Sequence, residues 1–294
     1  ALAGLAWLTR PTLTPVVPLL ALLLVFAIEP PRRHLRRALT YAGVFLAGPV
    51  LAIALFTTRN VVVGGEALWL PWQGGYNLYE ANKRGTHGRY LEQGTFAVSA
   101  TGNPTYAIMV EAYEKDLYAQ PGRRSFSFGG VDRFWRNRAI AEVLADPVAW
   151  AGLYARKVLY LFNDREVYNI EVFDVQRRES PILTYATPIT FGFVLPLALA
   201  ALAFWPLANR GRRRALVIVI VYTAALAAAI ALYYASGRLR APLVFPLVVL
   251  AGVGLGRLST VVRQATLRRG LAAGLVVMGA IVAWGDWWGV RSER

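Results

Sequence analysis

Cysteine is absent from the chain, and histidine occurs only twice among its 294 residues. Without cysteine there is no disulfide bond and no thiolate ligand for a metal. His34 and His87 are the only imidazoles, too few for the three or four ligands that a zinc centre takes from the protein. We therefore predict no metal site and no cofactor, and we leave a divalent metal requirement open.

Charge is also scarce. Only 17% of the residues are charged and 56% are hydrophobic, whereas soluble domains have about 25% charged residues. The mean hydropathy is positive. These values predict a membrane protein.

Hydrophobic runs long enough to cross a bilayer, which needs about 20 residues, recur along the chain. We predict an all-α polytopic membrane protein with about six transmembrane helices. The apolar run at residues 1–9 is too short to cross, and we interpret it as the end of a truncated helix whose N-terminal part is missing. The predicted spans are residues 11–28, 38–57, 182–206, 215–235, 241–258 and 270–288.

A long hydrophilic stretch separates these runs into two groups. Residues 1–58 are predicted to hold the truncated helix and two spans, and residues 182–294 four spans. Residues 59–181 are predicted to form a mainly helical extracytoplasmic insert with interfacial helices.

The net charge of +15 is concentrated in the short turns between spans. Residues 59–181 carry 15 Lys and Arg against 14 Asp and Glu, so the insert is nearly neutral. Cytoplasmic loops collect arginine, which places the insert on the outer side and excludes the continuous basic face of a nucleic-acid-binding protein. Three turns hold Arg32, Arg33, Arg36 and Arg37; Arg210, Arg212, Arg213 and Arg214; and Arg257, Arg263, Arg268 and Arg269.

Arginine also precedes proline at two predicted helix starts on the outer side. Arg10 comes before Pro11, and Arg238 and Arg240 come before Pro242. A helix N-terminus with added arginine can bind an anion such as phosphate. The alternative is that these side chains reach the interface only to keep their charge in water.

Acidic residues are missing from the interior of every predicted span, which disfavours a proton-coupled or ion-coupled transporter. The candidate acids, Glu80, Asp164 and Glu166, lie in the insert. No phosphate-binding loop, nucleophile elbow or paired-histidine helix is present.

Local signals predict helix boundaries and packing. Asp132 is predicted to cap a helix that runs to Ala145, and Asp146 with Pro147 is predicted to end it and start the next. The helix after Pro147 is amphipathic and basic, and could lie in the membrane interface or pack on the insert's own core. The glycines at 252, 254 and 256 predict close helix packing.

Four segments resemble the C-terminal two-thirds of polytopic GT-C glycosyltransferases, the bacterial membrane enzymes related to protein O-mannosyltransferases and aminoarabinose transferases. The segments are GLAWLTRP (4–11), GGYNLYEAN (74–82), LADPVAWAGLYARKVLYLFNDRE (144–166) and GRLRAPLVFP (237–246). They follow the family's order and spacing over nearly the whole chain.

The resemblance implies a bacterial inner-membrane enzyme. It would transfer a sugar from a polyprenyl-phosphate carrier to a glycan, lipid or protein acceptor on the outer side, without a nucleic-acid partner. The expected catalytic carboxylate would precede residue 1, which leaves Glu80 and Glu166 as weak candidates within this chain.

The resemblance also implies roles for other residues. Arg10, Arg238 and Arg240 would bind the carrier phosphate, and Lys157 and Glu166 would shape the site. Tyr76, Asn77 and Asn82 would line its mouth.

Two other functions are compatible with the sequence. One is an O-antigen ligase or polymerase that takes a diphosphate-linked glycan. The other is a non-enzymatic carrier or flippase of lipid-linked sugars.

Overall fold

A computed structural model describes residues 2–28, 31–89, 109, 112, 127–167, 173–186, 190–203, 210–261 and 266–287. This part of the chain is predominantly helical and contains no β-strand. The helices are α1 (Leu2–Thr9), a 3₁₀ turn (Pro11–Leu13), α2 (Val16–Ile28), α3 (Pro31–Gly64), α4 (Gly74–Asn82), α5 (Phe128–Ala145), α6 (Pro147–Phe162), α7 (Phe173–Glu179), α8 (Pro181–Ala186), α9 (Phe191–Ala203), α10 (Arg210–Ala231), α11 (Gly237–Val261) and α12 (Thr266–Trp284).

Three helices of the described chain are long and apolar enough to cross a membrane, namely Leu35–Gly64, Arg210–Ala231 and Gly237–Arg257. The expectation of an all-helical membrane protein is confirmed at this level. The other predicted spans correspond to shorter apolar helices, Pro11–Val25, Phe191–Ala203 and Arg269–Trp284, so six crossings remain a prediction.

The predicted span 38–57 extends well beyond its expected bounds. Helix α3 covers 34 residues, about 51 Å at 1.5 Å per residue. The arginines expected in a loop at 32–37 lie in its first turns, since arginine is a good helix former and proline suits the first helical position. Only 11% of its most apolar window is buried, as expected for a helix that faces lipid.

The predicted span 182–206 is interrupted. Its first residues form the separate short helix α8, and α9 begins only at Phe191.

The chain divides into two compact units. The first contains residues 1–25, 29–154 and 232–234, and the second contains 26–28, 155–231 and 235–294.

In the first unit, α4 packs on α5 through aromatic side chains. Trp135 is 1% exposed, and the ring of Tyr76 meets it edge-on at 5.1 Å between centroids.

The prediction for Asp132 was wrong: α5 begins at Phe128, and Ser127 caps it by accepting a hydrogen bond from Gly130 N. Asp132 lies inside α5, and its carboxylate accepts a hydrogen bond of 2.6 Å from Gly75 N in the first turn of α4.

Glu66 binds the start of α5, although it lies 62 residues before Phe128 in the sequence. Its carboxylate accepts hydrogen bonds of 2.8 Å from both Phe128 N and Gly129 N, and one of 3.0 Å from Ser127 Oγ. Burial raises the pKa of this carboxyl, but the three hydrogen bonds outweigh burial and lower the pKa overall. An ionised acid at a helix N-terminus also interacts favourably with the helix dipole.

The second unit contains a bundle of α9, α10, α11 and α12. A methyl group on Gly254 of α11 would overlap the Leu197 carbonyl oxygen of α9, and one on Gly279 of α12 would lie 2.7 Å from Pro196 Cα. The backbones of these helices therefore touch, as small residues permit in membrane proteins.

The glycine prediction is confirmed at Gly254, whereas a methyl group at Gly252 or Gly256 would meet nothing within 4 Å.

Contacts at the helix ends fix the directions of the bundle helices. Phe191 at the start of α9 lies under Arg240 in the first turn of α11, so these two helices run parallel. Trp284 at the end of α12 lies beside Gly192, so α12 runs antiparallel to α9. Five residues connect α10 to α11, and the two helices pack together, which makes them antiparallel.

We expect Gly254→Ala to destabilise the protein by about 1–3 kcal/mol because the added methyl group overlaps the α9 backbone. Gly252→Ala and Gly256→Ala are matched controls, since alanine is favoured over glycine by roughly 0.5–1 kcal/mol within a helix. The thermal unfolding midpoint in detergent measures the effect. Equal midpoints for the three variants would contradict the close packing at Gly254.

Candidate functional site

The residues proposed from sequence divide between the two units. The first unit holds Arg10, Tyr76, Asn77, Glu80 and Asn82, and the second holds Lys157, Glu166, Arg238 and Arg240.

Asn82, the last residue of α4, is 6% exposed, and its side chain forms hydrogen bonds through both polar atoms. Its Nδ2 donates to the carbonyls of Leu78 at 2.7 Å and Leu232 at 2.8 Å. Its Oδ1 accepts a hydrogen bond of 2.9 Å from Trp150 Nε1. Asn82 thus fixes the indole ring of Trp150 in the first unit.

A cleft of about 420 Å³ opens beside this pair. Its volume lies within the range of about 300–1,000 Å³ that is typical of small-molecule sites. The lining combines an indole ring with two acidic side chains, two basic side chains and one hydroxyl group. The lining residues are Asn82, Lys83, Arg84, Gly85, Thr86, Glu142, Ala145, Asp146, Ala149, Trp150 and Leu153.

Local backbone signals shape the cleft. Gly85 has a φ of 85°, which glycine adopts without strain. Asp146 separates α5 from α6 and accepts a hydrogen bond of 2.9 Å from Ala149 N. The predicted Asp146–Pro147 boundary is therefore confirmed. Glu142 lies one helical turn before Asp146 and accepts a hydrogen bond of 3.3 Å from Arg84 N.

The other residues proposed in α4 lie outside this lining. Tyr76 belongs to the aromatic core with Trp135. Asn77 is half-buried, and its backbone N–H donates to Gln73 O. Glu80 is 8% exposed and forms an ion pair of 2.8 Å with Lys83 Nζ. Lys83 directly follows α4, so the charge of Glu80 is matched at the end of its own helix.

The predicted helix start at Pro11 is confirmed only in part, because the helical stretch Pro11–Val25 begins there as a 3₁₀ turn. Pro11–Leu13 forms a 3₁₀ turn, and α2 begins at Val16. Pro15 has no N–H for the Pro11 carbonyl, which instead accepts hydrogen bonds from the backbone N and Oγ1 of Thr14. Arg10 therefore precedes a single short turn, and the dipole of a long helix does not begin beside it.

The predicted helix start at Pro242 was wrong. Helix α11 begins at Gly237, and Pro242 lies inside it. Ser236 accepts hydrogen bonds from Leu239 N through its side chain and from Arg240 N through its carbonyl, while Gly237 N donates to Val167 O. These backbone N–H groups at the start of α11 therefore already have hydrogen-bond acceptors within the protein.

Arg240 is held by groups of the second unit. Its Nη1 donates a hydrogen bond of 2.5 Å to Asn163 O, and its guanidinium lies 4.5 Å from the centroid of the Phe191 ring. The carboxylates of Glu166 and Asp164 are close enough to stabilise its charge. Arg238 is exposed.

Glu166 and its neighbours form a polar loop after α6. The Asn163 side chain donates to Gly285 O at 2.9 Å, and Asp164 N donates to Ala283 O at 2.7 Å. Asp164 Oδ1 accepts a hydrogen bond of 2.5 Å from Gly192 N at the start of α9. The Glu166 side chain lies directly against Gly237. This loop therefore joins the ends of three bundle helices.

Lys157 in α6 has 0% relative exposure. Burial lowers its pKa to about 7, because a charged ammonium loses hydration in the interior. The neighbouring interior residues of α6 are Tyr160 and Leu161.

Helix α6 buries part of the face that was predicted from its periodicity. Leu161 is 1% exposed, and Trp150, Leu153, Tyr154 and Val158 are half-buried. Packing within the protein is therefore favoured over a flat position in the interface for this face.

Within the described ranges, no group of three or more His, Asp or Glu residues could hold a metal ion. Sequence reasoning did not select Arg84, Glu142 or Trp150 as site residues. The sequence pattern that could have indicated the cleft was a pair of acids four residues apart, Glu142 and Asp146.

No family model, curated protein or solved structure matches the chain.

The lowered pKa of Lys157 predicts a pH dependence of stability. Between about pH 7 and its ordinary pKa of 10.5, the unfolded chain holds a proton on Lys157 that the folded chain does not. The contribution of Lys157 to the free energy of unfolding therefore rises with pH across this window, by about 1.4 kcal/mol per unit. Below pH 7 the contribution is constant.

Lys157→Met removes this titration. We expect the unfolding free energy of the wild type, minus that of the variant, to increase between pH 7 and pH 9 in detergent. A difference that stays constant over these two units would contradict a neutral, buried Lys157.

Proposed function

We propose that this chain belongs to a membrane glycosyltransferase that moves a sugar from a polyprenyl-phosphate carrier to an acceptor on the extracytoplasmic side. In this proposal all six apolar helices cross the membrane and residues 59–181 lie outside. Support comes from the three long apolar helices and from a polar cleft of the right chemistry in the insert.

The proposal depends mainly on the cleft beside Trp150. A sugar offers hydroxyl groups for hydrogen bonds and an apolar C–H face that stacks on aromatic rings. Glu142 and Asp146 can accept from hydroxyls, and Lys83 and Arg84 can donate to ring or hydroxyl oxygens. Trp150, fixed by Asn82, supplies a rigid apolar surface at low entropic cost.

The carrier phosphate requires a cation at the membrane surface. Arg240 already has the Asn163 carbonyl and two carboxylates near it, and these carboxylates would repel an incoming phosphate. Arg238 lies in the same first turn of α11 and is exposed. We therefore assign phosphate binding to Arg238 and the positioning of the helix ends to Arg240.

Sugar transfer by the protein expressed from its complete gene tests the proposal. We expect Trp150→Ala and Glu142→Gln to lower transfer roughly tenfold or more, which corresponds to about 1.4 kcal/mol of lost binding. The donors are polyprenyl phosphates that carry labelled mannose, glucose or arabinose. Trp69→Ala and Glu179→Gln are matched controls outside the cleft lining, and should remain within about twofold.

Trp150→Phe separates a ligand role from a structural one. Phenylalanine keeps an aromatic face but cannot form the hydrogen bond to Asn82. Because the face is kept, Trp150→Phe should retain more activity than Trp150→Ala. The thermal stabilities of the two variants should be similar because both lose the hydrogen bond. Wild-type protein that transfers no sugar from any of the three donors, or full activity in Trp150→Ala, would contradict the proposed function.

The topology can be tested separately because the chain has no cysteine of its own. Arg133 on α5 and Arg213 on α10 are both exposed. We expect a membrane-impermeant maleimide to label Arg133→Cys in intact cells and Arg213→Cys only after lysis. Labelling of both variants, or of Arg213→Cys alone, in intact cells would refute the proposed orientation.

A further inference from the structure

Helix α5 exposes apolar side chains on one face. Ile140 is 47% exposed and Leu144 is 71% exposed, and Arg133 and Asn137 are also exposed. These four residues follow one another at intervals of four, three and four positions, which places them in one stripe at 3.6 residues per turn. We call them the exposed stripe; its polar half lies near the start of α5 and its apolar half near the end.

The opposite face of α5 has its partners within the first unit. Val131 and Trp135 form a buried cluster with Tyr76 of α4, and Glu142 accepts a hydrogen bond from Arg84 N. The exposed stripe is therefore the side of α5 that is available to a partner from outside the described part of the chain.

The start of α5 is bound at the end of a candidate membrane span. Helix α3 ends at Gly64, and Val62 in its last turn is 78% exposed, as expected for a side chain that faces lipid. Glu66, two residues after this end, accepts hydrogen bonds of 2.8 Å from Phe128 N and Gly129 N. If α3 crosses the bilayer, the start of α5 lies at the membrane surface.

The end of α5 is fixed through α4, because the two helices run parallel. Gly75 N at the start of α4 donates a hydrogen bond to the Asp132 carboxylate early in α5. Arg84 N, just after the end of α4, donates one to Glu142 in the last turn of α5. The ends of α4 and α5 are therefore neighbours.

The end of α4 is bound in turn at the end of a second candidate span. Asn82 Nδ2 donates a hydrogen bond of 2.8 Å to Leu232 O. Leu232 directly follows α10, which is long and apolar enough to cross a membrane. In the proposed topology α3 and α10 both leave the bilayer on the extracytoplasmic side, so both ends of α5 are bound near that surface.

We propose that α5 lies along the extracytoplasmic surface of the bilayer, with the exposed stripe against the lipid and Ile140 and Leu144 inserted below the headgroups. Helix α5 has 18 residues and is about 27 Å long, so attachment at both ends keeps its axis along the surface. Helices of this kind bury their apolar face by about 5–10 Å. Arg133 remains in the hydrated headgroup layer, where phosphate groups can pair with it. The proposal requires α3 and α10 to cross the membrane and does not depend on sugar transfer.

Single-cysteine variants measure the depth of the stripe, because the chain has no cysteine of its own. Ile140→Cys and Leu144→Cys are labelled with a nitrobenzoxadiazole fluorophore in the protein expressed from its complete gene, and each is reconstituted into lipid nanodiscs. We expect nitroxide groups on the lipid chains to quench both labels strongly and aqueous iodide to quench them weakly. Both side chains are exposed, so both variants should keep the thermal unfolding midpoint of the wild type.

Arg84→Cys is the matched control. Arg84 is bound to Glu142, which projects from the side of α5 opposite to Leu144. A label at position 84 should therefore show the reverse pattern, with strong quenching by iodide, weak quenching by the lipid nitroxide and emission at longer wavelength than the labels of the stripe.

Two outcomes would overturn the proposal. Iodide that quenches the stripe labels as strongly as the label at position 84 would mean that the stripe lies in water. Stripe labels protected from both quenchers would assign the stripe to a protein partner, such as a second copy of the chain. An error in the proposed orientation would be recognised separately by the maleimide labelling, and neither result bears on the transfer assay.

Discussion

The contact of helix backbones at glycine is the constraint on which the second unit depends. Lipid chains are as apolar as leucine, so helices in a bilayer associate through close packing instead of hydrophobic burial. Gly254 and Gly279 let α11 and α12 meet the backbone of α9 from two sides. Once α9 is fixed between them, its first residues lie beside the start of α11 and the end of α12. The polar end of the bundle follows from this packing.

The loop after α6 completes that end with hydrogen bonds. The Asn163 side chain and Asp164 N donate to carbonyls at the end of α12, and the Asp164 carboxylate accepts from Gly192 N of α9. Buried polar groups are stable only when paired, and here each helix end provides the partner that the loop needs. Arg240 extends the network to α11 by donating to the Asn163 carbonyl. An arginine so placed positions the surrounding helices.

Composition and hydrophobic run length predicted the helical membrane character, because crossing a bilayer imposes a length and a polarity on the sequence. Helix starts near proline were predicted less well. Pro11 and Pro242 were both taken as first residues, but Pro15 delays α2, and Ser236 lets α11 begin before Pro242. Which residue caps a helix depends on contacts that a local pattern does not contain. Asp132 illustrates this, since its partner is Gly75, 57 residues away.

The cleft was harder to predict because it depends on a contact between Asn82 and Trp150, which are 68 residues apart. Charge pairing also shapes its surroundings. Glu80 forms an ion pair with Lys83, and Asp132 forms one with Arg136 at 3.4 Å. Residues 59–181 therefore carry positive and negative charges side by side instead of an electrostatic field of one sign. A field of one sign would attract polyanions over long distances, whereas a mixed surface selects ligands by hydrogen bonding at short range. The excess positive charge of the chain lies mainly outside residues 59–181, for example in the first turns of α3 and α10. Residues 59–181 are nearly neutral, which is compatible with the sugar ligand of the proposed function.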